Sequence, residues 1–143
     1  MDVKLRDFEK KDYLNLATLS DDQWKASHFG VAESMMKASG NIEHCILAMD
    51  GARIVGYIYG FALPNKTLIP EFLYVLPICR KNGIGKMLVE KMESSTDCTV
   101  SMIFYNKNLC NYYSKMGYQV GDALEVAMKE IPKREGKQDE IQF

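Results

Sequence analysis

Apolar and polar positions alternate weakly from Val3 to Arg6, which predicts a first strand. Tyr13, Leu16, Ala17 and Leu19 then recur at helical spacing, with Asp12 placed near the helix start. A looser helical pattern runs from Asp21 to Ser39 through Trp24, His28, Val31, Met35 and Met36 and stops at Gly40-Asn41. The short apolar run His44 to Met49, the tight-turn pair Asp50-Gly51 and the β-branched and aromatic stretch Ile54 to Ala62 predict a hairpin. After a turn at Pro64-Asn65-Lys66, Thr67 to Leu76 reads as a third long strand in which Pro70 requires a bulge or an edge position. Ile84, Met87, Leu88 and Met92 mark an amphipathic helix over Ile84 to Ser94, and Thr99 to Tyr105 reads as a strand. Leu109, Tyr112, Tyr113 and Met116 sit at i, i+3, i+4 and i+7 of a short helix that ends at Gly117. Tyr118 to Ile131 offers two strand pieces about Gly121-Asp122. This order predicts an α/β domain over residues 1–131, with a mixed, mostly antiparallel sheet flanked by helices, and a polar, mobile tail over 132–143.

Composition narrows the function. With 143 residues, 47% hydrophobic and 26% charged, the chain suits one globular domain, and a net charge of −1 gives no field to hold nucleic acid or an anionic bilayer. No apolar run reaches the ~20 residues of a spanning helix, and MDVKLRDFEKKDY has no apolar core for a signal peptide, so a cytoplasmic protein is expected. Cys45, Cys79, Cys98 and Cys110 form no C-x-x-C and have only His28 and His44 to join them, so reduced thiols are expected and no metal.

The chemistry concentrates in the stretch from Glu71 to Leu88, a strand, a loop with Gly83 and Gly85, then a helix. Orphan N–H groups at a helix start, with glycine letting the backbone approach, suit a phosphate. The triphosphate loop G-x-x-x-x-G-K-[ST] fails at Arg80 and Met87, and the dinucleotide pattern G-x-G-x-x-G fails at Leu88. What fits is R-x-x-G-x-G, formed by Arg80, Gly83 and Gly85 after Tyr74-Val75-Leu76-Pro77.

In this the sequence resembles the Gcn5-related N-acetyltransferase superfamily, whose pyrophosphate loop joins its fourth strand to its third helix. The run from Asn106 through Tyr113 to Gly117-Tyr118 resembles the family's N-x-x-A-x-x-x-Y-x-x-x-G-F block, with Leu109 for the Ala and Tyr118 for the Phe. The resemblance implies a fourth strand splayed from its neighbour and acetyl-CoA as the acyl donor. Its pyrophosphate would rest on Arg80, Lys81, Asn82, Gly83, Ile84, Gly85 and Lys86, and its pantetheine arm on Leu73, Tyr74 and Val75. Asn106 would reach the arm, and Tyr113 would protonate the leaving thiolate. Glu71 would act through water as general base; period-two alternation puts it on the face of Leu73 and Val75. The resemblance thus implies direct acetyl transfer to an amine of a small molecule or peptide. The alternative is a silent CoA-binding module of the same fold. Residues 1–50 carry six basic and nine acidic side chains, which mildly favours a cationic acceptor, although Phe72 replaces an Asp of polyamine-type relatives. The acceptor, the part of Trp24 and His28, and oligomeric state, a homodimer being one option, stay open.

Overall fold

A computed structural model of the chain describes residues 1–12, 15–16, 44–103, 105, 107–120, 129 and 131–132. They fall into two compact units, residues 1–105 and 106–143. The second expected helix, Asn106, the strand pieces after residue 120 and the tail lie outside the described residues.

The first unit is a five-stranded sheet in the order β1-β2-β3-β4-β5, made of β1 (Val3–Asp7), β2 (Cys45–Asp50), β3 (Arg53–Ala62), β4 (Thr67–Val75) and β5 (Val100–Ser101). The first four strands are antiparallel neighbours, and β5 runs parallel to β4. The β2–β3 hairpin turns at Gly51, whose φ of 61° is a left-handed conformation that glycine adopts without a Cβ penalty. Among the described residues β5 is only two residues long, against the seven expected. It pairs with Thr67 and Leu68, and a last bond runs from the Met102 N–H to the Leu68 carbonyl at 2.9 Å. From Ile69 to Val75, β4 has no strand partner on that side among the described residues, which is the expected splay.

One sheet face carries Cys45, Leu47, Tyr57, Tyr59, Phe72 and Tyr74, packed with Leu16 and Ile54 into one buried cluster. The opposite face carries Ile46, Ala48, Ile58 and Leu68, and helix α1 (Ile84–Ser94) packs against β2, β3 and β4 with Ile84, Leu88, Val89 and Met92 buried. Burying that stripe holds α1, and so the loop before it, against the end of β4.

Asp12, the residue expected near the helix start, is tied to β1. It is 3% exposed, accepts both guanidinium nitrogens of Arg6 at 2.8 Å and the Glu9 N–H at 2.8 Å, and so ties β1 to the following turn. The Arg6 hydrogen bond holds its carboxyl below the usual range against the opposing pull of burial. The stabilisation is therefore present above the unfolded-state pKa and is lost as pH falls through the lower folded value. Asp12→Ala is expected to cost about 2 kcal/mol in urea denaturation at pH 7. The difference from wild type should shrink as the pH is lowered.

The second unit contains α2 (Cys110–Lys115). Its end is well formed: Gly117, at φ 91°, donates its N–H to the Ser114 carbonyl at 3.0 Å, and Tyr118 donates to the Tyr113 carbonyl at 3.1 Å. That pair of bonds closes the last turn as the Gly117 signal predicts.

Candidate active site

The loop leaves β4 through a 3-10 turn at Pro77–Cys79 and enters α1 at Gly83. Lys81 and Gly83 both take left-handed backbone, with φ 67° and 76°. Asn82 closes the loop by donating its side-chain amide to the carbonyls of Cys79 at 3.1 Å and Arg80 at 3.3 Å. No side chain caps α1, and its first internal bond runs from the Met87 N–H to the Gly83 carbonyl at 3.0 Å. The N–H groups of Ile84, Gly85 and Lys86 therefore point out of the helix start, where the dipole favours an anion. A Cβ at Gly83 would meet nothing within 4 Å, so the approach is open. Lys86 has Glu90 one turn on at 3.7 Å, an exposed pair of little strength.

Arg80 turns back onto the strand. Its Nε donates to the Val75 carbonyl at 2.8 Å, and its guanidinium sits 5.5 Å from the centre of the Tyr74 ring. It thus braces the loop on the end of β4. The Leu76 N–H donates to Val55 of β3 at 2.9 Å, so by strand alternation Tyr74 also turns its main chain to β3, while Leu73 and Val75 turn theirs to the open edge. Of the three residues expected along a ligand arm, Tyr74 thus has a buried ring and a main chain directed at β3.

Glu71 occupies the bulge that Pro70 predicted. Tyr59 pairs with Phe72 and Gly60 with Pro70, so Glu71 is the extra residue on β4. Counting by twos does not carry across it, because Pro70 and Phe72 lie two apart in sequence yet on opposite faces. Glu71 is exposed and stands between Phe72, the partner of Tyr59, and Pro70, the partner of Gly60. Burial first, then the Glu71 charge, then Cys45 push the Tyr59 phenol up to about 12. The direction of Glu71 is thus set by the bulge and not by strand alternation. Gly60 makes the bulge sterically feasible, since a Cβ there would collide with the backbone of Ile69 and Pro70. Sequence reasoning passed over Tyr59 and Gly60; an isolated glycine inside an apolar strand was the available signal.

In the second unit Tyr113 is 6% exposed, edge-on to Tyr112 at 5.0 Å and to Tyr118 at 5.9 Å. Burial, then Tyr112, raise its pKa, so the phenol keeps its proton beyond the ordinary tyrosine range. Cys45 and Cys79 are buried, Cys98 and Cys110 partly so, and all four are free thiols. Burial, then Asp12 and Asp7, raise the Cys45 thiol.

Residues 41–120 match the family model described as an acetyltransferase (GNAT) domain, more than half of the chain. The chain belongs to the GNAT acetyltransferase family. Solved structures share the GNAT fold at low identity. An acetyltransferase from Trypanosoma brucei is 18% identical, with a TM-score of 0.66 over 90% of this chain and 100% of its own. The aminoglycoside N-acetyltransferase AAC(6')-Iy, in complex with CoA, is 13% identical, with a TM-score of 0.70 over 91% of this chain and 96% of its own. The paiA N-acetyltransferase from Thermoplasma acidophilum, in complex with coenzyme A, is 17% identical, with a TM-score of 0.67 over 86% and 93%. No curated protein matches the sequence significantly. Among the described residues no helix is long and apolar enough to cross a membrane.

Proposed function

We propose that this GNAT protein is an acetyl-CoA-dependent N-acetyltransferase that forms a ternary complex and passes the acetyl group directly to a primary amine of a small molecule or peptide. The observation that carries the reading is the open edge of β4 running into an uncapped helix start with space above Gly83. An extended arm can pair with the main chain of Leu73 and Val75, as another strand would, while its pyrophosphate accepts N–H bonds from Ile84, Gly85 and Lys86. Lys81 and Lys86 add positive charge at that end, and Asn82 and Arg80 keep the loop in shape. The family resemblance assigns an amide contact with the arm to Asn106, which lies outside the described residues.

Glu71 takes the proton of the incoming ammonium through water, and the neutral amine attacks the thioester carbonyl. The C–N bond forms and the C–S bond breaks. The departing thiolate takes the phenol proton of Tyr113, a role the family resemblance assigns to that residue and its burial suits. The attacking nitrogen loses its second proton through water, which restores the phenol. The products are an N-acetyl amide and the free thiol. The burial of Tyr113 also favours a second reading, a CoA-binding module without acceptor chemistry in which this ring is only core.

Calorimetric titration with acetyl-CoA tests the donor site. Gly83→Asp keeps the fold, because its Cβ has room and aspartate tolerates left-handed backbone. Its carboxylate would take the helix-start N–H groups and repel phosphate, so binding should weaken at least about tenfold against wild type. Equal affinity in both proteins would remove the loop from the donor site.

A further inference from the structure

We propose that the acceptor position beside Glu71 takes a primary amine borne on an apolar, aryl-bearing arm, in preference to a polyamine. The inference rests on the acetyl-transfer reading above and adds the class of acceptor.

Across β3 and β4 the sequence holds a single acid, Glu71, and a single base, Arg53 at the far end of β3. Beside Glu71 the aromatic face surfaces. Phe61 and Ile69 are cross-strand partners next to the bulge, and both are half-buried. Beneath them Tyr59 meets Phe61 edge-on at 6.5 Å and stacks on Phe72 at 5.5 Å with planes 13° apart. Tyr59 and Phe72 are each 3% exposed, so they form a floor and leave Phe61 and Ile69 as the surface an incoming molecule meets. Glu71, exposed at the bulge two residues from Ile69 on the same strand and next to Phe72, stands at the margin of this group of rings, and its charge acts on Tyr59.

One carboxylate at the margin of an apolar surface recognises one ammonium and an apolar body. The charge pairs with the amine that will react, and the arm covers Phe61 and Ile69, releasing water from them. A polyamine would lay a second ammonium on this surface, where the strands offer no second carboxylate; position 72 holds a buried ring instead. Placing a charge there without a partner costs free energy.

Steady-state acetylation of phenethylamine, ethanolamine and spermidine by the whole protein tests the inference. Wild type should prefer phenethylamine in kcat/KM by about tenfold or more over the other two. Phe61→Ala should raise KM for phenethylamine about tenfold, with KM for ethanolamine and acetyl-CoA changed less than about twofold. Ile69→Ala, on the facing strand, should act in the same direction and decides the matter if the Phe61 variant fails to fold. Equal or better use of spermidine, or a loss common to all three amines in both variants, overturns the inference and leaves acetyl transfer standing. A protein that binds acetyl-CoA and acetylates no amine overturns both.

Discussion

Glu71→Gln is expected to lower amine turnover at pH 7 by about 100- to 1000-fold while leaving acetyl-CoA affinity within about twofold. The upper limit follows from the substrate: an amine of pKa ~10 is neutral in only about one molecule per thousand at pH 7. A base that removes this proton can contribute at most about that factor through deprotonation. The pH profile separates this role from a merely structural one. In the variant, kcat/KM should rise about tenfold per pH unit towards the pKa of the amine, because solvent then does what the carboxylate did. Wild type should depend on pH less steeply. Glutamine keeps the size of the side chain at an exposed position, so the bulge has no reason to change. A variant with unchanged turnover at pH 7 removes Glu71 from proton transfer.

Gly60→Ala is expected to destabilise the protein by about 3 kcal/mol, read as a lower urea midpoint with an unchanged slope. The new Cβ would lie 2.9 Å from the Pro70 Cα and closer still to the Ile69 carbonyl oxygen, both backbone atoms that no rotamer change can move. The strands must part there or the bulge must be lost, and the bulge is what sets the direction of Glu71. Turnover of the folded fraction should therefore fall as well. The contrast is Gly83, where φ is left-handed but space is open; a Gly83→Ala change meets only backbone strain of about 1 kcal/mol. Equal stability of Gly60→Ala and wild type would show that β3 and β4 separate at the bulge without cost.

Much of this architecture was readable from pattern. The Asp50-Gly51 turn, the long third strand, the amphipathic helix from Ile84 and the Gly117 stop each have a local cause that a sequence displays. Pro70 announced the bulge because it lacks an N–H, but the proline could not say which neighbour is the extra residue. That depends on the facing strand, where Gly60 has room and a larger residue would not. Counting by twos therefore placed Glu71 on the wrong basis. The short pairing of β5 and the two jobs of Asp12 were also hidden, since both depend on partners distant in sequence or on bonds that periodicity does not encode. The loop was legible as a glycine pattern, whereas the turn of Arg80 back onto Val75 and Tyr74 was not.

A strand edge left open for one extended molecule is open to the strands of other molecules too, and such edges seed aggregation. The open side of β4 limits that hazard by its own construction. Pro70 has no N–H to give, the bulge at Glu71 twists the edge and adds a charge, and Arg80 occupies the Val75 carbonyl at the other end. Between those stops the run able to pair is only a few residues long, enough to grip a narrow arm and too short to template a second sheet. Solubility and access thus depend on the same few residues, and smoothing the bulge to strengthen the sheet would lengthen the adhesive edge.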